Sequence, residues 1–109
     1  MDRKTIIHVS ESAQEQIKKA IEWRSRISDE SESRDLIKGT LFDWKNQMTV
    51  APESGKACQY IDNPKIQECI KGQYRLVYEI VEKNDCFHIN LLIFCHTRQD
   101  YQTLLKMLQ

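Results

Sequence analysis

Tyr74-Arg75-Leu76-Val77-Tyr78-Glu79-Ile80-Val81 and Phe87-His88-Ile89-Asn90-Leu91-Leu92-Ile93-Phe94-Cys95 flank the polar turn Lys83-Asn84-Asp85. Both runs are rich in β-branched and aromatic residues, and apolar side chains return at every second position, the period of a strand. A short polar turn between two such runs predicts an antiparallel hairpin. In the second run one alternating face is wholly apolar, while the other starts with His88 and Asn90 and continues with Leu92 and Phe94. A strand apolar on both faces belongs inside a sheet, between neighbours. Ile66 to Lys71 reads as a further strand joined to Tyr74 by Gly72-Gln73, so the last three strands form a meander. Cys58 to Ile61, ahead of Asn63-Pro64, is either a short strand or an extended lead-in.

Upstream of Pro52-Glu53-Ser54-Gly55 the period changes to 3.6. Thr5 to Val9 is a short β-branched strand ending at Ser10 and Ser12, and Ser12 with Glu15 fits a capping box at a helix start. Ala13, Ile17, Ala20, Ile21, Arg24 and Ile27 then recur at helical spacing, predicting a helix over residues 11–27. The polar stretch Ser28 to Ser33 separates it from a second helix over about 30–49, with Ile37, Leu41, Trp44 and Met48 on one face. Trp23 and Trp44 both read as core or hairpin packing. Gly39 inside the second helix costs roughly 1 kcal/mol relative to alanine. A short connection makes the two helices an antiparallel hairpin. The chain closes with a capping pattern, Thr97-Arg98-Gln99-Asp100, and a helix placing Tyr101, Leu104, Leu105 and Leu108 on one face. The order β-α-α-β-β-β-α defines an α+β domain over residues 1–109, a helical hairpin packed on an antiparallel sheet.

At 109 residues and 12.9 kDa the chain has room for one modest domain. Sixteen basic and sixteen acidic residues balance to zero, which argues against a protein held on nucleic acid mainly by counterion release. The longest apolar run, Leu91 to Cys95, is far short of the roughly 20 residues that span a bilayer. Met1-Asp2-Arg3-Lys4 leads into no secretory signal, so a cytoplasmic location with no membrane partner is expected. Cys58, Cys69, Cys86 and Cys95 show no two-residue spacing of the kind that offers two thiolates from one turn. Cys69 and Cys95 read as small core hydrophobes. With His8, His88 and His96 scattered, neither a metal nor a cofactor is expected.

No motif announces an enzyme: the chain has no glycine-rich phosphate loop, nucleophile elbow, zinc-ligand helix or dinucleotide fingerprint. The chemistry-bearing residues gather in the second half. Tyr74 and Arg75 open one strand, His96 and Arg98 follow the end of the next, and Tyr101 starts the final helix. A hairpin brings the start of the first strand beside the end of the second, so Arg75 and Arg98 are candidates for one edge of the sheet. Two guanidiniums, an imidazole and a phenol can stabilise phosphate charge and move protons on RNA. They serve equally well as a protein-binding surface. Plainer roles compete at each position: Arg75 as the ion-pair partner of Glu68 or Glu79, His96 as a packing residue, Thr97 and Asp100 as caps, Tyr101 as a core aromatic.

Tyr74-Arg75-Leu76-Val77-Tyr78-Glu79-Ile80, the polar turn, Ile89 to Phe94 and Cys95-His96-Thr97-Arg98-Gln99-Asp100 resemble the C-terminal half of RelE/ParE superfamily toxins. Pro52-Glu53-Ser54-Gly55-Lys56 resembles that family's proline-glycine-basic turn, and Ile66-Gln67-Glu68-Cys69-Ile70 the strand before its Tyr-Arg pair. The resemblance implies the toxin half of a bacterial type II toxin–antitoxin pair, with a cognate antitoxin as partner. It implies one of two targets: DNA gyrase, for ParE-like members, or the ribosome and mRNA, for RelE-like members that act as metal-independent endoribonucleases. Arg75 and Arg98 match basic positions of both branches. The lysines of the RelE-like strand fall near Ile66 and Glu68 here, and its helix tyrosine near Leu104, with Tyr101 one turn earlier. His96-Thr97-Arg98 is similar to the histidine-x-arginine ending of ParE-like strands. Residues 56–109 carry seven basic and six acidic side chains, a net of +1, which is low for a ribosome-bound nuclease. The expectation is therefore a ParE-like gyrase inhibitor whose target surface includes Arg75, His96, Arg98 and Tyr101. The same four residues are the catalytic candidates under the ribonuclease alternative, and a non-toxic binding module of the same fold is the second alternative.

Overall fold

β1 (Lys4–Val9), α1 (Glu11–Ser25), α2 (Glu30–Val50), β2 (Lys56–Ala57), β3 (Ile66–Lys71), β4 (Tyr74–Lys83), β5 (Cys86–His96) and α3 (Tyr101–Lys106) follow one another along the chain. The computed structural model describes residues 4–99 and 101–106, with Tyr101 described by its backbone alone. The strands form one sheet in the order β1-β5-β4-β3-β2. β3, β4 and β5 are the expected antiparallel meander, and β5 has a neighbour on each side. Its two hairpin turns follow their sequences. Gly72 takes φ +60 at the first turn position, and Asn84 and Asp85 both take positive φ, a conformation that asparagine and aspartate tolerate better than most residues.

Two details depart from the sequence reading of the sheet. It is mixed rather than antiparallel throughout, because β1 lies parallel to β5, from Lys4 beside Cys86 to Val9 beside Leu91. β1 and β5 are distant in sequence, so no tight turn imposes an antiparallel pairing on them. The second strand is Lys56–Ala57 and not Cys58–Ile61. Beyond Cys58, whose amide donates to the Ile66 carbonyl, the chain turns, and the Ile61 amide donates back to the Cys58 carbonyl.

The helices pack as a hairpin on one face of the sheet. The N-cap of α1 is Ser10, whose hydroxyl accepts from the Ala13 amide at 3.1 Å, and not Ser12, which is exposed. The Ser10 amide donates to the Leu91 carbonyl at 3.0 Å, so the cap is fixed where β1 leaves the sheet. Ala13, Ile37, Trp44 and Met48 are buried against Tyr74, Leu76, Tyr78, Ile89, Leu91 and Phe94. Trp44 belongs to this core as expected, but Trp23 is 66% exposed. Trp23 lies one position out of phase with the Ala13–Ile17–Ala20–Arg24 stripe, and its ring lies instead under the Arg26 guanidinium at 5.6 Å. Ile27 lies beyond the end of α1 and is also exposed.

A second, smaller core lies on the opposite face. Cys58, Ile66, Val77, Ile93, Cys95 and Leu105 form it, with Ile61, Leu92 and Leu104 packed alongside. A bulge allows β5 to supply both cores: Tyr78 pairs with Leu91 and Val77 with Ile93, leaving Leu92 as an extra residue. Ile89 and Leu91 face the helices, and past Leu92 it is Phe94 that does so while Ile93 and Cys95 face the small core. β1 has ended by this point, and the Gln16 side chain of α1 takes its place by accepting from the Phe94 amide at 2.7 Å.

The loop between α2 and β2 is fixed by a close approach. A methyl group on Gly55 would run into the Tyr78 hydroxyl and lie 3.1 Å from Gln67 Oε1. Glycine is needed here for space rather than for an unusual φ.

Candidate functional site

The sheet register places Tyr74 opposite His96 and Arg75 opposite Cys95, so the expected residues do converge on one end of the β4–β5 hairpin. They do not share one environment. Arg75 points to the small-core side, the face of its partner Cys95, and its side chain is only 16% exposed. Its Nε lies 3.9 Å from Glu68 Oε2, on a carboxylate that is 14% exposed. At that separation the two charges attract across a gap too wide for a hydrogen bond. Of the two acidic partners weighed for Arg75, the structure selects Glu68. Tyr74 is buried on the helix side, stacked on Phe94 at 5.0 Å.

His96, Thr97, Arg98 and Gln99 form a turn in which every backbone amide is bonded. The His96 amide donates to Gln99 Oε1 at 3.0 Å, and the Gln99 amide donates to the His96 carbonyl at 2.9 Å. The Thr97 amide donates to the Gln73 carbonyl at 2.9 Å, tying the turn to the start of β4. The Arg98 amide donates to His96 Nδ1 at 3.1 Å. The imidazole is set edge-on to the Tyr74 ring, centroids 5.6 Å apart. Arg98 is exposed, so the turn presents a guanidinium to solvent from a backbone with no unspent donor. Such a group can form bidentate bonds to a carboxylate or a phosphate.

Sequence reasoning missed the two glutamines that hold this turn, Gln73 through its carbonyl and Gln99 through its side chain. The only available signal was the three-residue separation of His96 and Gln99, the span of a turn closed by its own side chain. α3 begins at Tyr101, three residues later than a capping box opened by Thr97 would start it, because Thr97, Arg98 and Gln99 are taken up by the turn; it buries Leu105. The Tyr101 side chain, the Asp100 cap and Leu108 lie outside the described residues.

The remaining titratable groups are structural in setting. Burial pushes the thiols of Cys69 and Cys95 up to about 11, and raises Cys58 as well. Burial also raises the Tyr78 hydroxyl, which lies beside the Cys69 sulfur. Among the described residues no three His, Cys, Asp or Glu side chains converge as metal ligands. His8 and His88, which looked unrelated in sequence, stack in parallel at 6.0 Å across β1 and β5.

The fold, a helical hairpin on one face of a five-stranded sheet with a short C-terminal helix on the other, has a match among solved structures. A chain of the chromosomal ParDE TA system from P. aeruginosa superposes on this one with a TM-score of 0.68, covering 88% of this chain and 98% of that one at 6% identity. At so low an identity the likeness is one of fold. The family described as ParE toxin of type II toxin-antitoxin system, parDE, matches residues 7–101, and the chain belongs to it. No curated protein sequence matches the chain. Among the described residues no helix is long and apolar enough to cross a membrane.

Proposed function

We propose that this ParE-family toxin arrests growth by poisoning DNA gyrase in the cytoplasm and is neutralised by a cognate antitoxin. The observation that carries the choice of target is the setting of the two arginines. Arg75 is largely buried beside Glu68, whereas Arg98 alone of the pair is presented to solvent. The ribonuclease reading draws on both guanidiniums for the scissile phosphate, and Arg75 is largely withdrawn from solvent. A protein or protein–DNA contact needs only the exposed one. In this reading Arg98 makes the principal contact with a carboxylate or phosphate of the gyrase–DNA complex, and α3 with Tyr101 flanks it. Arg75 keeps the small core closed beneath. The antitoxin engages the exposed apolar residues of the helical hairpin, Trp23, Leu36 and Phe42. A segment that folds on binding is suited to cover such a surface.

Purified toxin should inhibit gyrase supercoiling or trap cleaved DNA and leave ribosome-bound mRNA uncut. Arg98→Ala should weaken inhibition by about 10- to 100-fold, the equivalent of about 1.5–3 kcal/mol for a charge-assisted bond. Normal supercoiling together with codon-phased cuts in mRNA would establish the RelE-like alternative. The product of the adjacent gene should co-purify with the toxin and restore growth. Failure of both would remove the antitoxin from the proposal.

A further inference from the structure

We propose that His96 is a positioning residue for Arg98: its imidazole, carrying its proton on Nε2, uses Nδ1 to hold the Arg98 amide and so fixes the turn that presents the guanidinium. The inference rests on the reading that Arg98 is the target contact, and it removes His96 from the contacting set suggested by its sequence.

Three observations carry it. The first is the direction of the bond. The Arg98 amide can only donate, so Nδ1 must be the acceptor at 3.1 Å and must be unprotonated. Nε2 then bears the proton of the neutral ring. The second is the completeness of the turn. The amides of His96, Thr97 and Gln99 are bonded to Gln99 Oε1, the Gln73 carbonyl and the His96 carbonyl. His96 Nδ1 is therefore the bond that completes the set at the residue bearing the exposed charge. The third is the support behind the ring. His96 makes a T-shaped contact with Tyr74, which is itself buried and stacked on Phe94. The imidazole thus has a wall on the sheet side and a hydrogen bond on the turn side, and a side chain held in this way fixes the geometry of the one it supports. Held in this turn, Arg98 has already lost backbone freedom that a floppy loop would lose on binding.

Asparagine and glutamine separate this role from the others available to His96. The Oδ1 of asparagine lies close to the position of Nδ1, whereas the longer glutamine carries its oxygen nearer to Nε2. The test compares the wild type with His96→Asn, His96→Gln and His96→Ala, each checked for an intact fold by thermal melting. Long-range proton–nitrogen NMR of the wild type should show the Nε2–H tautomer. Exchange of the Arg98 amide should quicken about five- to tenfold in His96→Gln and His96→Ala, as expected for one lost hydrogen bond, and stay near wild type in His96→Asn. Gyrase inhibition should follow the same order, with His96→Asn retaining most of it.

An Nδ1–H tautomer, or an Arg98 amide that stays protected in His96→Ala, overturns the proposal. Loss of inhibition in His96→Asn with the Arg98 amide still protected also overturns it, because His96 would then touch the target itself. If the wild type leaves gyrase untouched, the target reading fails on its own. The tautomer and the exchange rates still decide the role of His96.

Discussion

Adding one methyl group at Gly39 and at Gly55 should move stability in opposite directions. Gly39 is exposed in the interior of α2, and a Cβ there meets nothing within 4 Å. Gly39→Ala keeps every contact and removes backbone freedom from the unfolded chain, worth about 1 kcal/mol in an exposed helix interior. A chain of 109 residues unfolds with an entropy of about 0.2 kcal/mol per kelvin, so the midpoint should rise by about 4 °C. At Gly55 the same methyl meets the Tyr78 hydroxyl. Tyr78 cannot swing aside, because its ring is fully buried and packed against Trp44 with centroids 5.5 Å apart. Overpacking of this kind costs about 1–3 kcal/mol, a fall of about 4–13 °C. Calorimetry on the two variants measures both shifts. Tyr78→Phe removes the obstructing oxygen, so Gly55→Ala should cost much less in that background, a coupling that a double-mutant cycle reads directly. Melting shifts of the same sign at the two glycines, or no coupling to Tyr78, would refute the packing argument.

Two further outcomes concern the thiols and a turn. Cys86 is partly exposed, whereas Cys58 and Cys95 are buried and the Cys69 and Cys95 thiols hold their protons up to about pH 11. Iodoacetamide at pH 8 should therefore label Cys86 first, as peptide mass spectrometry can report. The same two thiols titrate near 9 in the unfolded chain, so their stabilising effect is complete below pH 9 and is lost as pH rises through 11. Urea midpoints measured across that range should fall, and less steeply in Cys95→Ala. At the β4–β5 turn, Asp85→Gly should raise stability by up to about 1 kcal/mol, because Asp85 adopts a φ of +59 that glycine takes without strain. Denaturant unfolding measures that change.

The sequence carried much of this architecture because hydrophobic period is local. The switch at Pro52 from steps of three and four to alternation separates the helical hairpin from the meander, and both are where that switch puts them. What local pattern could not carry was direction and phase. Nothing in Thr5 to Val9 says which strand it joins or which way it runs. Trp23 sits one step off an apolar stripe, a difference of about 100° around the helix that an aromatic residue makes easy to overlook. Ser12 and Glu15 have the spacing of a capping box, yet Ser10 caps the helix because the Leu91 carbonyl fixes where the strand ends. At the candidate site, the sequence brought Tyr74, Arg75, His96 and Arg98 to one end of a hairpin. It could not separate a buried guanidinium from an exposed one, because that difference depends on Glu68 across a neighbouring strand. Nor does a sequence state which nitrogen of His96 accepts.

The extra residue in β5 has a consequence for the far end of that strand. In an uninterrupted ladder all odd-numbered residues of β5 would share one side, and His96 would come out on the side opposite Ile89 and Leu91. Leu92 acts as a half-period spacer that exchanges odd for even, and it sets His96 opposite Tyr74 on the helix side of the sheet. The orientation of the toxin's exposed arginine turn is therefore established four residues upstream, by a leucine whose place in the strand is to be one too many. Deleting Leu92 would close the bulge and leave His96 opposite Tyr74, whereas drawing Leu92 into a regular ladder would invert what the strand presents.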